Sequence, residues 1–255
     1  NVFQSLTQAN TNDTLQRLQT EIAPRLAAHS DAIRLNPALF ARIKALHDTR
    51  TTLGLDSVQQ TLVERYYKDF VRSGALLSEP DKTRLRALNE QEARFSTDFQ
   101  IRLLAASKAG GLVISDKAEL AGLSEGDINA AADAAKARKL DGKWVLPLQN
   151  TTQQPRQVSL GNRAVREKLF RASTTRAEHS DSNDTRALTL QLAALRAERA
   201  KLLGFPSIAA YVLDDQMAKT PAQALKLLTD MVPAINAKIA SETVASCGRS
   251  NAKSV

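Results

Sequence analysis

Between residues 163 and 221 the chain carries stops and starts so closely spaced that only an array of helices joined by short turns satisfies them. The short polar side chains of the SNDT cluster, 182–185, can accept bonds from the unpaired N–H groups of a first helical turn. Leu188, Leu192, Leu195, Leu202 and Leu203 then recur at spacings of three and four or their sums, which places them on one helix face. Gly204 supplies a left-handed stop, and Pro206 forbids continuation two residues later. Ser207 is a cap for a further helix with Ile208, Tyr211 and Val212 on one face. Thr220 caps the next, with Pro221 in its first turn and Gln223 completing a capping-box pattern.

The preceding residues repeat this grammar. From Thr11 to about Leu35, the positions Leu15, Leu18, Ile22, Leu26, His29 and Ile33 form an amphipathic stripe, with Pro24 expected to kink or divide it. His29 lies on that stripe and is expected to be a packed core histidine. Asn36-Pro37 opens a helix carrying Leu39, Phe40, Ile43 and His47. Asp56 with Gln59 opens another, with Val58, Leu62, Val63, Tyr66 and Phe70 expected to face inward before Gly74 ends it. Ser78 with Pro80 and Asp81 starts a helix on Leu85, Leu88, Phe95, Phe99 and Leu103, with Glu92 the polar intruder. The short connection through Gly74 predicts antiparallel packing of these last two helices.

At Gly110-Gly111 the period changes. Leu112-Val113-Ile114 and Trp144-Val145-Leu146 are short β-prone runs, expected to pair as one small ribbon around an alanine-rich helix at 125–140 capped by Ser124. Residues 149–161 read as a loop without a phosphate-cradling glycine pattern. After Thr220 a helix carries Leu225, Leu228, Met231 and Val232 and passes or kinks at Pro233 toward 244; from Ser246 periodicity is lost. The expected organisation is therefore all-α with at most one small β-ribbon. Its parts are a helical region 1–107, the ribbon and alanine-rich helix 108–161, a second helical region 162–245, and an irregular tail 246–255.

Composition narrows the function classes. At 255 residues the chain can bury a substantial core, and 43% apolar with 24% charged residues excludes wholesale disorder. Cys247 is the sole cysteine, so no internal disulfide forms. No run of about eighteen apolar residues occurs, so no transmembrane helix is expected. The net charge of +8 is spread along every helix, and no stacking aromatics interleave with it, which argues against nucleic acid as a partner. The opening residues, with Val2, Phe3 and Leu6 already apolar and helical, suggest a segment of something longer.

The chemistry is mostly a set of negatives. His29, His47 and His179 stand far apart, and none has the His-Glu-x-x-His surroundings that place two zinc ligands on one helix face. There is no Cys-x-x-Cys, Walker loop, dinucleotide glycine motif or Gly-x-Ser-x-Gly elbow. Cys247 is a nucleophile only on paper, in an unpatterned tail with no histidine nearby. Glu178, His179 and Asp181 form a polar cluster that reads as loop and cap, with an acid–base or weak metal site as its functional reading. Arg163, Arg166, Lys168, Arg171 and Arg176 read as a solvated face, with anion binding as the alternative. No catalytic, cofactor-binding or metal-ligating residue is therefore assigned.

Several segments together resemble the thimet oligopeptidase and peptidyl-dipeptidase family of zinc metallopeptidases, in its non-catalytic N-terminal half. They are KDFVRSGALL (68–77), KTRLRALNEQEARFSTDF (82–99), REKLFRA (166–172), SNDTRAL (182–188), LRAERAKLLGF (195–205) and DDQMAKTP (214–221). KAGGLVI (108–114) and WVLPLQNTTQQP (144–155) are most similar to the bacterial peptidyl-dipeptidase branch. The resemblance runs from about Asn12 to Glu242. It implies an almost wholly helical protein flanking a deep channel, and a cytoplasmic enzyme that releases dipeptides from peptide C-termini. It also implies a zinc held by an HExxH helix and a distant glutamate, none of which this sequence contains. Zinc is expected in the full-length family member, and the missing catalytic half and peptides are the expected partners. Two rivals stand beside this reading: a free-standing helical module that binds peptides or proteins, and a basic nucleic-acid-binding helical protein.

Overall fold

The computed structural model describes residues 2–148 and 154–251. Ten helices follow in order: α1 (Val2–Ala9), α2 (Asp13–Arg34), α3 (Pro37–Thr49), α4 (Ser57–Arg72), α5 (Glu79–Ala109), α6 (Glu125–Lys136), α7 (Arg163–Thr174), α8 (Arg186–Leu202), α9 (Ile208–Leu213) and α10 (Pro221–Asn251). Between α5 and α7 lie two strands, β1 (Gly111–Ile114) and β2 (Trp144–Pro147). They pair antiparallel with Leu112 opposite Leu146 and Val113 opposite Val145. The fold is all-α with one two-stranded ribbon, as the sequence predicts.

The predicted caps explain where helices start. Asn12 accepts from the Leu15 amide at 3.0 Å, and Asn36 does the same for Leu39 at 3.0 Å. Asp56 and Gln59 form a reciprocal capping box, at 2.8 and 3.1 Å. Gly74 and Gly204 take φ of +95° and +84°, the left-handed stops their positions call for. The start of α8 is capped from within the SNDT cluster, as expected. Thr185 makes no capping bond with its side chain; Asp184 Oδ1 instead accepts from the Arg186 amide at 2.9 Å.

Three helix-level expectations are corrected. First, α5 does not pack along α4. It lies antiparallel between α2 and α8, tied to α2 through Asn89–Asp31 at 2.8 Å and to α8 through Glu92–Arg196 at 2.8 Å. The left-handed turn at Gly74 redirects the chain, and a 31-residue helix offers two faces that one neighbour cannot cover. Second, α4 buries Phe70 against α3, while Val58, Leu62 and Tyr66 stay exposed on a face that α3 does not cover. Third, His29 is exposed on the outer side of α2 instead of buried in a core. Pro24 and Pro233 are both accommodated inside continuous helices, and α10 runs through 246–251, where an irregular tail was expected. Part of the loop read at 149–161, residues 149–153, lies outside the described residues, as do 252–255.

Two cores result. The larger one sits under the ribbon, where Ile114, Leu120, Leu123, Ile128, Leu146, Leu160, Val165 and Leu169 are walled by α6 and α7. The smaller one joins α3 and α4 through Phe40, Phe70 and Ala75.

Among the described residues, Asp31 on α2 is the one buried carboxylate, 8% exposed, with Asn89 as its hydrogen-bond donor. Burial raises its pKa above the usual carboxylate value, against the opposing pull of Asn89, Arg86 and Arg199. A carboxylate whose folded pKa exceeds its unfolded one contributes stability at low pH and loses it as pH rises through the folded value. Asp31→Asn keeps an oxygen for Asn89 and removes the buried charge. It is expected to raise the urea midpoint at pH 7, with the gain vanishing below about pH 4, the unfolded carboxylate range. An equal effect at both pH values would refute this origin.

Candidate functional site

The motifs that carry the family resemblance turn out to face one another. Arg65, Lys68 and Arg72 stand at spacings of three and four on one side of α4. Opposite them lies the Asp214-Asp215 doublet that follows α9. Arg65 Nη2 and Lys68 Nζ reach Asp215 at 3.0 and 3.2 Å, and Arg72 pairs with Asp214. Arg72 Nη2 also donates to the Tyr211 carbonyl at 2.7 Å, and its guanidinium lies 4.7 Å from the Tyr211 ring centroid. The hydrogen bond from Lys68, joined by the charge of Arg65, holds Asp215 below the usual carboxylate range. KDFVR and DDQ are thus two halves of one clasp between α4 and the turn into α10.

A second lock centres on Glu92. Its two oxygens take Arg196 at 2.8 Å and Arg199, so the polar residue on the apolar stripe of α5 is the anchor for α8. Arg84 with Glu198 and Arg102 with the Asp184 carbonyl extend the same contact line at its two ends. Paired charges with this much partial burial contribute geometry more than net stability.

His179 and Asp181 of the Glu178–His179–Asp181 cluster border a cleft of about 320 Å³, lined by Ala106, Gly110, Gly111, Leu148, Ala172 and Arg176 among others. One carboxylate of the cluster and the neighbouring Asp184 are engaged by the loop itself. Asp181 Oδ1 accepts from the Asn183 amide at 2.8 Å, and Asp184 Oδ2 accepts from the Ser180 amide at 2.9 Å. Hydrogen bonds from the Arg186 guanidinium and amide hold the Asp184 carboxyl far below its ordinary value. Ser180 takes a φ of +55°, so the loop closes tightly on this hub. Among the described residues, no three His, Cys, Asp or Glu side chains gather at metal-ligating distance. The structure therefore places Glu178, His179 and Asp181 in a capped turn.

The basic run on α7 is similarly absorbed. Arg166 Nη1 donates to the Leu160 and Gly161 carbonyls at 2.6 and 2.9 Å, Arg171 pairs with Glu167 at 2.9 Å, and Lys168 approaches Glu119 at 3.8 Å. His47 stacks on Tyr67 at 3.9 Å between centroids, within the α3–α4 core, so it too is structural. The nucleophile reading of Cys247 concerns a side chain outside the described residues. Sequence reasoning missed the α4–α9 clasp. Its only sequence signal is a cationic stripe and an acidic doublet some 140 residues apart, which nothing local connects.

Known proteins decide what this framework is. The model of peptidase family M3 matches residues 157–247. Dipeptidyl carboxypeptidase of Escherichia coli K12 is 49% identical over 241 residues, which is 94% of this chain and 35% of that protein. The chain belongs to peptidase family M3. More distant M3 relatives include oligopeptidase A of E. coli, 29% identical over 85% of this chain, and the organellar oligopeptidase A of Arabidopsis thaliana, 30% identical over 74%. The chain spans about a third of the length of the curated relatives it matches, at their N-terminal side. Within this M3 segment, the clasp and the Glu92 lock are framework: they set the relative placement of α4, α5, α8 and α9. Among the described residues no helix is long and apolar enough to cross a membrane.

Proposed function

We propose that this chain forms one wall of the substrate channel of a zinc metallopeptidase that releases dipeptides from the C-termini of peptides in the cytoplasm. The observation that carries this reading is the 49% identity to a dipeptidyl carboxypeptidase, sustained over 94% of the chain. In this proposal residues 1–107 and 162–245 are the helical framework and 108–161 the ribbon unit seated on it. The chain contributes no catalytic residue. The zinc site and the glutamate general base belong to sequence corresponding to the two-thirds of the relatives that this chain does not span. Bound there, zinc would polarise the scissile carbonyl and lower the pKa of the attacking water. The part played by this chain is to hold peptide, exclude water and keep the long helices in register through the clasp and the Glu92 lock.

The test here is metal content. After gel filtration in zinc-supplemented buffer, the purified chain is expected to carry far less than one zinc per molecule, with His179→Ala changing nothing. Stoichiometric zinc that survives filtration and disappears in His179→Ala would place a metal site in this segment and overturn the assignment.

A further inference from the structure

Asp141-Gly142 is the chain's one Asp-Gly step, and it sits in the turn that leads into β2. The Lys143 amide donates to the Leu140 carbonyl at 3.3 Å and closes a tight turn around the pair. Gly142 takes a φ of +74°, and a Cβ there would meet nothing within 4 Å, so space is open around this peptide bond. Both residues are exposed. Among the described residues, neither the Asp141 carboxylate nor the Gly142 amide has a hydrogen-bond or ion-pair partner. Asp56 and Asp181, each followed by a serine, offer the contrast. Their carboxylates accept from the Gln59 and Asn183 amides, both at 2.8 Å. A carboxyl group so engaged is not available to the amide that follows it in the chain.

We propose that Asp141-Gly142 is a site of spontaneous covalent modification, at which the turn isomerises to an isoaspartyl linkage. The Gly142 nitrogen attacks Cγ of Asp141. The new C–N bond forms as the Cγ–OH bond breaks, the amide proton leaves, and one water is released. Water then opens the cyclic imide. Attack at the Cγ carbonyl restores aspartate, whereas attack at the main-chain carbonyl of Asp141 leaves the chain running through Cβ and Cγ. No atom is gained or lost overall, and the backbone becomes one carbon longer. The added carbon falls three residues before Trp144, the chain's only tryptophan, which opens β2 opposite Ile114 and packs on the core under the ribbon. Isomerisation lengthens the connection into the ribbon and displaces Trp144 from that register. This inference rests on the turn and does not depend on the peptidase reading.

The test is incubation of the intact chain over several weeks in neutral buffer, folded and in urea, with isoaspartate located by peptide mapping and electron-transfer fragmentation. In the folded chain it is expected to accumulate at 141 roughly ten-fold faster than at Asp56 or Asp181, where a side chain follows and the carboxylate is engaged. Its rate should lie within about three-fold of that in urea, because an exposed turn keeps much of the freedom of the unfolded chain. Trp144 emission should drift on the same time course. Asp141→Glu, whose imide ring would be one atom larger, should abolish both changes. The Asp141 carboxylate has no partner among the described residues, so the melting midpoint of that variant should stay unchanged. Asp141→Asn should react faster than the parent, releasing ammonia in place of water. Isomerisation confined to the urea sample, equal rates at Asp56 or Asp181, or a drift in emission that survives in Asp141→Glu would overturn the proposal. So would isoaspartate at 141 with unchanged Trp144 emission.

Discussion

Replacing Gly122 by alanine is expected to destabilise the protein by roughly 3–5 kcal/mol, in the range reserved for backbone strain combined with core disruption. Gly122 has a φ of +93°, which a side chain rarely tolerates. A Cβ there would lie 2.1 Å from the Ser159 carbonyl oxygen and 2.9 Å from the Gly161 nitrogen. Both obstacles are backbone, and Gly161 is itself held by its hydrogen bond to the Ala121 carbonyl at 2.7 Å. Relief would require residues 121–123 to part from 159–161. Leu120, Leu123 and Leu160 belong to the core under the ribbon, so the separation would open that core to water. Gly126→Ala provides the contrast. Gly126 lies in the first turn of α6, its nearest Cβ contact would be Ser124 Oγ at 3.8 Å, and alanine there should be neutral or slightly stabilising. Urea denaturation of the two variants distinguishes the cases. A Gly122→Ala protein as stable as the parent would show that the 121–161 contact does not constrain the core.

This example also marks what was legible in the sequence. Gly74 and Gly204 announce themselves because they end helical periods, whereas Gly122 sits in an irregular stretch where no period exists to be broken. Caps were read well for the same reason: Asn36, Asp56, Ser78, Ser124, Ser207 and Thr220 each satisfy amides within three residues, and such bonds need only local sequence. The ribbon followed from two β-prone runs, each bounded by glycine or proline. What failed was long-range. Pairing α5 with α4 assumed that a short connection dictates neighbours, yet the charges of Glu92 and the Asp31–Asn89 bond place it on α8 and α2. Val58, Leu62 and Tyr66 looked like core because they are apolar at helical spacing. Periodicity marks a face without saying what covers it, and the same holds for Leu225, Leu228 and Val232 on α10.

The candidate site shows the converse. Glu178, His179 and Asp181 have the residue types of a catalytic cluster, but backbone amides and Arg186 already engage the acidic groups around them. Polar residues beside a helix start have their donors and acceptors claimed locally first. Several residues in the segments that resemble the family, in KDFVR, Glu92, LRAERAK and DDQ, lock helices together.

The central claim is that this chain supplies framework and substrate wall to a peptidase whose catalytic apparatus lies elsewhere. Its most direct test is hydrolysis of a peptide with a free C-terminus, with dipeptide release followed by mass spectrometry. The chain would be assayed alone and after co-expression with the two-thirds of E. coli dipeptidyl carboxypeptidase that it does not match. The account predicts no release above background from either part alone, and zinc-dependent release of C-terminal dipeptides from the pair, at roughly a thousand-fold or more over background. Dipeptide release by this chain alone, or a stable complex of the two parts with no activity, would contradict it.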